Sequence, residues 1–168
     1  MRSLTLSFIG GFLASLLFIT TTGCNHHKEE AQKVELSKVP TAVMASVNTR
    51  FPGANIDSVE KETENGAVVY DLEFKHQGRK YEMDVKEDGT VMEIEKEIKV
   101  PPAAVSRAIQ SKYPGATIKE VMEKNTVKGK QETPDSYEVT ITTADGKSKE
   151  VVVALDGSSA KEEPEEKK

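Results

Sequence analysis

The chain predicts an α+β fold of two tandem units, each a short helix packed on one face of a small antiparallel β-sheet. Three observations carry this. A segment starting at Val39 recurs 62 residues later. Each copy opens with apolar residues at helical spacing. Each then changes to strict alternation of apolar and charged residues.

The first copy reads Val39-Pro40-Thr41-Ala42-Val43, then Val47, then Phe51-Pro52-Gly53-Ala54-Asn55-Ile56. The second reads Pro101-Pro102-Ala103-Ala104-Val105, then Ile109, then Tyr113-Pro114-Gly115-Ala116-Thr117-Ile118. Val43, Val47 and Phe51 share one helix face, as do Val105, Ile109 and Tyr113. Pro40 and Pro102 suit the first helical position, where no backbone N–H is needed. Pro52-Gly53 and Pro114-Gly115 end the helices, because the residue before proline is pushed out of helical geometry.

After the first helix, Ile56 to Lys61 reads as a strand, followed by a break at Asn65-Gly66. Tyr70, Leu72 and Phe74 then alternate with Asp71 and Glu73. Past Gln77-Gly78, Tyr81, Met83 and Val85 alternate with Glu82 and Asp84. That is a hairpin with one apolar face. Asp88-Gly89 is a further turn, and Val91 to Ile98 another strand. The second copy follows the same order through Tyr137, Val139 and Ile141, then Val151, Val153 and Leu155, with extra loop residues around Lys128 to Pro134.

The N-terminus has the layout of a secretory signal: Arg2, an apolar run from Leu4 to Ile19, and small residues up to Cys24. It resembles a bacterial lipoprotein signal, although Thr21 stands where such signals usually carry Leu. The resemblance implies removal of residues 1–23 and diacylglycerol on the sulfur of Cys24. The apolar run is shorter than the roughly 20 residues that span a bilayer. As the only cysteine of the chain, Cys24 has no intramolecular disulfide partner. The expected organisation is a signal over 1–23, a polar tether over 24–37, the two units over 38–98 and 99–158, and a disordered charged tail over 159–168. The protein is expected to be exported and held by its lipid, facing the periplasm or the cell surface.

Lys and Arg number 23 against 28 Asp and Glu, a net charge of −5, and Arg2 is the only charged residue before Cys24. An acidic chain with no basic stripe is not expected to bind nucleic acid. Enzyme signatures are absent: there is no P-loop, no dinucleotide fingerprint and no H-E-x-x-H. His26 and His27 fall in the tether and His76 in a hairpin, so none suits a preorganised triad. His26 and His27 with Glu29 and Glu30 could hold a transition metal only loosely, because a tether cannot fix ligand geometry. No cofactor or metal is expected.

The hairpin register that buries the apolar residues pairs Phe74 with Tyr81, Leu72 with Met83 and Tyr70 with Val85. It also sets Glu73 opposite Glu82 and Asp71 opposite Asp84, although like charges directly opposite destabilise a sheet. Lys75 and Lys80 also face each other. The candidate partner-binding residues are therefore Asp71, Glu73, Glu82 and Asp84, on an open sheet face. A soluble, solvated face is the plainer reading of the same residues. The equivalent positions of the second copy, Glu138, Thr140, Thr142, Glu150, Val152 and Ala154, carry much less charge.

The residues Pro52-Gly53-Ala54 and Pro114-Gly115-Ala116 carry a family resemblance. With them goes Val69-Tyr70-Asp71-Leu72-Glu73-Phe74, then Gly78-Arg79-Lys80-Tyr81-Glu82-Met83-Asp84-Val85, then Asp88-Gly89-Thr90-Val91. The chain resembles the PepSY-like family of exported bacterial proteins over residues 38–98 and 99–158. The resemblance implies a non-catalytic module similar to the β-lactamase inhibitor protein fold. Such modules also occur in propeptides of thermolysin-type metallopeptidases, where an inhibitory role is suggested. The expected function is a lipid-anchored envelope binding module that binds or inhibits an exported peptidase or other envelope enzyme through its open sheet faces. The alternative is a lipoprotein that binds or senses a cation, such as calcium, with the acidic face.

Overall fold

The computed structural model describes residues 31–163. Nine strands form one antiparallel sheet in sequence order: β1 (Gln32–Lys33), β2 (Asn55–Glu64), β3 (Ala67–His76), β4 (Arg79–Lys86), β5 (Val91–Glu97), β6 (Thr117–Lys128), β7 (Gln131–Thr142), β8 (Ser148–Ala154) and β9 (Ala160–Glu162). Two helices, α1 (Thr41–Arg50) and α2 (Ala103–Lys112), complete it. No helix among the described residues is long and apolar enough to cross a membrane.

The helices begin and end where the prolines require. Pro40 and Pro102 are extended N-cap residues, one position earlier than expected. Phe51 and Tyr113 leave helical geometry just before Pro52 and Pro114, with φ, ψ of −129°, 70° and −126°, 72°. Each helix buries its i, i+4 pair completely, Val43 with Val47 and Val105 with Ile109.

The two-unit architecture is overturned. The protein is mostly β, with one continuous sheet and two short helices, not two tandem helix-plus-sheet units. The seam is β5 against β6, paired from Glu93 with Thr126 to Glu97 with Met122. Without β6, the outer edge of β5 would expose a row of unpaired backbone groups. The apolar side chains cross the same seam. Val127, on β6, belongs to the core beneath α1 with Val43, Val47, Leu72, Phe74 and Ile94. Burying a valine there contributes about 1.5–3 kcal/mol. The second core, beneath α2, is built by Val105, Ile109, Val121, Val139, Ile141 and Val153.

Local chemistry sets the register. Gln77 (φ 51°) and Gly78 (φ 76°) form a two-residue hairpin turn whose twist suits the flanking strands. Phe74 therefore faces Tyr81, Leu72 faces Met83 and Tyr70 faces Val85. A register shift between Asp84 and Val85, which pair with Glu93 and Val91, keeps both Val91 and Ile94 in the core.

Three segments differ from expectation. Lys128 to Pro134 is no loose loop: β6 and β7 continue to Lys128 and Gln131, and Pro134 pairs with Asn125 beside a register shift. Gln32 and Lys33 of the expected tether pair with Lys61 and Glu60. Ala160 to Glu162, within the expected tail, pair with β8.

Candidate functional site

Alternation along the strands divides the sheet into two faces. One carries the apolar cores and both helices. The other carries charge, and the strand register aligns that charge in rows. Glu60, Asp71, Asp84 and Glu93 lie opposite one another on β2, β3, β4 and β5. The next row runs Ser58, Glu73, Glu82, Glu95, Lys124 and Ser136 from β2 to β7. Each direct pairing of two carboxylates opposes folding.

Two lysines offset part of this repulsion. Lys80 lies 2.7 Å from Glu82, 3.2 Å from Glu120 and 3.9 Å from Glu73. Lys124 lies 2.9 Å from Glu93, 3.2 Å from Glu95 and 3.8 Å from Glu138. Burial alone would lower both lysines. Glu82 and Glu120 outweigh it at Lys80, and Glu95, Glu93 and Glu138 at Lys124, so both ammonium groups are held charged. Glu73 also accepts a 2.6 Å hydrogen bond from Ser58 Oγ.

The structure brings Asp71, Glu73, Glu82 and Asp84 together in the register their spacing implies, but the face is not open in the expected sense. All four are half-buried. Glu95 is only 7% exposed. Asp71 Oδ1 and Glu95 Oε2 are buried and accept no hydrogen bond. Burial, reinforced by Asp84, Glu82, Glu73 and Glu62, pushes Asp71 up to about 8. Burial, with Glu93 and Glu64 outweighing Lys124, pushes Asp84 up to about 7. Glu95 and Glu138 are also raised, first by burial. For Glu95 the next cause is Glu138, opposed by Lys124. Part of this face is therefore protonated near neutral pH.

The residues that sequence reasoning missed are Glu93, Glu95, Lys124 and Glu120, whereas Glu138 was placed on the equivalent face of the second copy without being joined to this site. Glu93, Glu95 and Glu97 alternate with the same period as Glu82 and Asp84, and that signal was present in the chain. Their junction with Lys124 depends on the β5–β6 seam, which no local pattern specifies. Toward the far edge, Glu138, Glu150 and Glu163 place one oxygen each within 4.8 Å of one another.

The opposite face has its own cavity, of about 300 Å³, between the end of α1 and the β6–β7 hairpin. Its cations are already matched: Arg50 to Glu132 at 3.0 Å and Lys96 to Glu123 at 3.2 Å. His76 packs against Phe51, ring centroids 5.6 Å apart, and serves the aromatic cluster of Phe51, Phe74 and Tyr81. Cys24, His26, His27, Glu29 and Glu30 lie outside the described residues, as do residues 164–168.

No family model and no curated protein matches the chain. Among solved structures it is similar to a DUF2874 family protein from Bacteroides uniformis, with 18% identity, 73% of this chain and 88% of that chain covered, and a TM-score of 0.53. It is also similar to a DUF2874 family protein from Bacteroides ovatus, at 15% identity, 73% and 86% coverage, and a TM-score of 0.52. A BLIP-like protein from Bacteroides fragilis aligns at 18% identity over 77% of this chain and 89% of that chain, with a TM-score of 0.49. At such identities the likeness to the two DUF2874 structures is one of fold alone.

Proposed function

We propose that this chain is a non-catalytic, exported binding module of the PepSY-like kind, anchored by lipid on Cys24, that captures an envelope protein through the helix-free face of its sheet. The observation that carries this reading is the crowding of carboxylates on that face, with two buried oxygens left without hydrogen bonds. A fold selected for stability alone would not retain opposed carboxylates and orphaned buried oxygens. Local conflicts of this kind concentrate at functional sites. The test is affinity capture from an envelope extract, with residues 25–168 as bait. A partner retained by the native chain and lost by the variant D71N/E73Q/E82Q/D84N supports the reading. Equal capture by both refutes the face as the docking surface. An inhibited exported peptidase remains the partner to assay first among captured enzymes.

The second reading, cation binding, is favoured by the oxygens of Glu138, Glu150 and Glu163 rather than by the four hairpin carboxylates. Millimolar Ca²⁺ should then raise the melting temperature, and E150Q should abolish the rise. An unchanged melt removes this reading.

A further inference from the structure

We infer that the cleft between α2 and the β8–β9 turn is a binding site for a small phosphate monoester, gripped by Arg107 and Lys112. It lies on the helix-bearing side of the sheet, away from the charged face, and goes beyond the binding-module reading. Its volume is about 360 Å³, within the roughly 300–1,000 Å³ of small-ligand pockets. Arg107, Ala108, Ser111 and Lys112 line it from the helix, and Ser158 and Ser159 from the turn. Ala104, Arg107, Ala108 and Ser111 follow at i, i+3, i+4 and i+7, so they share one helix face. That face meets the turn at Gly157, where a Cβ would lie 2.7 Å from Ala104 O. Arg107 and Ser111 come one and two helical turns beyond this contact.

The first copy shows the same junction sealed. Its Gly89 approaches Ala42 as Gly157 approaches Ala104, at the repeat offset along the helices. There Ser46 Oγ lies 2.6 Å from the carbonyl oxygen of Gly89 and 3.2 Å from that of Ala42. A Cβ on Gly89 would meet Ser46 Oγ at 3.1 Å, whereas the nearest heavy atoms to a Cβ on Gly157 all belong to Ala104. The second copy has Ala108 in place of Ser46 and Arg107 in place of Ala45. One change removes the hydroxyl that closes the junction, and the other sets a guanidinium beside the gap. Two residues beyond the glycine, buried Val91 is replaced by exposed Ser159. Closing the fold requires none of these changes, since the first copy closes without them.

Charge names the ligand. The chain has 28 acidic residues, yet none lines this cleft and none lies on α2. Among the described residues, no carboxylate pairs with Arg107. Lys112 donates one proton to Ala160 O at 2.5 Å, which holds its ammonium at the cleft and leaves two protons to give. Acids close by are committed elsewhere. Asp156 accepts the Ser158 N–H at 2.8 Å, and Glu162 pairs with Lys149 and accepts from the Tyr113 hydroxyl. An oxyanion therefore fits the site. Its donors stand on two walls, helix and turn. The three terminal oxygens of a tetrahedral phosphate diverge and can meet both walls, whereas the two oxygens of a carboxylate lie in one plane. Space remains beyond the phosphate for a small hydroxylated body beside Ser111, Ser158 and Ser159.

The test is calorimetric titration of glucose 6-phosphate, glycerol 3-phosphate and acetate into the full chain, held in a detergent with an uncharged headgroup. The native chain should bind at least one phosphate ester and should not bind acetate comparably. Tighter binding of glucose 6-phosphate supports a sugar phosphate, and tighter binding of glycerol 3-phosphate supports the glycerophosphate of a lipid headgroup. R107Q should bind at least about tenfold more weakly, the loss of a charge-assisted hydrogen bond. Its melting temperature should match that of the native chain, because Arg107 is exposed and pairs with no carboxylate among the described residues. A108S restores the hydroxyl of the first copy, so it should weaken binding while leaving the melting temperature equal or higher. K38Q/K147Q removes two exposed lysines elsewhere, 72% and 73% exposed, and should bind like the native chain. The proposal is overturned if the native chain binds neither ester, if acetate binds as tightly, if R107Q binds as the native chain does, or if K38Q/K147Q weakens binding as much as R107Q.

Discussion

Replacing Asp71 by asparagine keeps the shape of the side chain and removes its proton equilibrium, so it isolates what the buried carboxylate costs the fold. Burial and the surrounding acids raise this group from 3.8 to about 8 in the folded protein. The sign follows from proton counts. Below the unfolded value both states are protonated and nothing is lost. Between the two values the folded state holds a proton that the unfolded state has released, so stability falls as pH rises, levelling off above the folded value. The slope is about 1.4 kcal/mol per pH unit, so Asp71 alone removes about 2–3 kcal/mol between pH 5 and pH 7. In a domain of this size that corresponds to a fall of about 8 °C in melting temperature. The assay is thermal unfolding by circular dichroism at pH 5, 6, 7 and 8 for the native chain and D71N. The advantage of D71N should be about 1.5 kcal/mol at pH 5, its smallest value, and grow with each step. A constant difference, or a variant less stable than the native chain at pH 7, would refute the account of this face as a store of unfavourable charge.

Other consequences can be checked separately. Gly89 has a φ of 87°, and a Cβ there would lie 2.9 Å from the carbonyl oxygen of Ala42 in α1. Gly157, with a φ of 74°, meets the same obstacle 2.7 Å from Ala104 O in α2. G89A and G157A should each cost about 2–4 kcal/mol in denaturant unfolding, against about 1 kcal/mol for G66A, where the added atom meets nothing. Lys124 is clasped by three carboxylates, so K124M should destabilise by about 3–5 kcal/mol at pH 8 and by less at pH 5. A fragment covering residues 31–98 should aggregate or unfold without cooperativity, because it exposes the β5 edge and lacks Val127; sedimentation and a broadened melt would show it. The intact mass of the exported chain should include an acyl-modified Cys24, and C24S should lose both that mass and membrane association.

Much of the local structure was legible because single residues dictate it. Proline fixes both ends of each helix, Gln77-Gly78 fixes the hairpin, and Tyr70, Leu72 and Phe74 leave one register for β3 against β4. That register also placed Asp71 opposite Asp84 and Glu73 opposite Glu82. What stayed illegible was the joining of the halves. Alternation in Val91 to Ile98 says that one face is buried, not which strand lies beyond the edge. Pairing Glu95 with Lys124 and sending Val127 into the first core are long-range consequences of the seam. Half-burial of Asp71 was equally hidden, since alternation within its own segment places it on the face away from the core.

The brevity of β1 has a mechanical consequence. Among the described residues, Gln32, Lys33 and the backbone of Val34 bond this edge to Lys61, Glu60 and Val59, and the Val34 side chain packs against the core beneath α1. With the proposed lipid at Cys24, a pull on a captured partner is transmitted to the membrane through this strand. Its bonds then open one after another, like a zip, instead of sharing the load. Peeling the seven residues from Gln32 to Lys38 lengthens the leash by up to about 25 Å. Val34, packed on the core beneath α1, is the first apolar obstacle to this peeling, and Val39, buried in that core, is the next. The edge strand thus forms the first slack in the tether, released only when Val34 leaves the core, while the strands that carry the charged face stay paired.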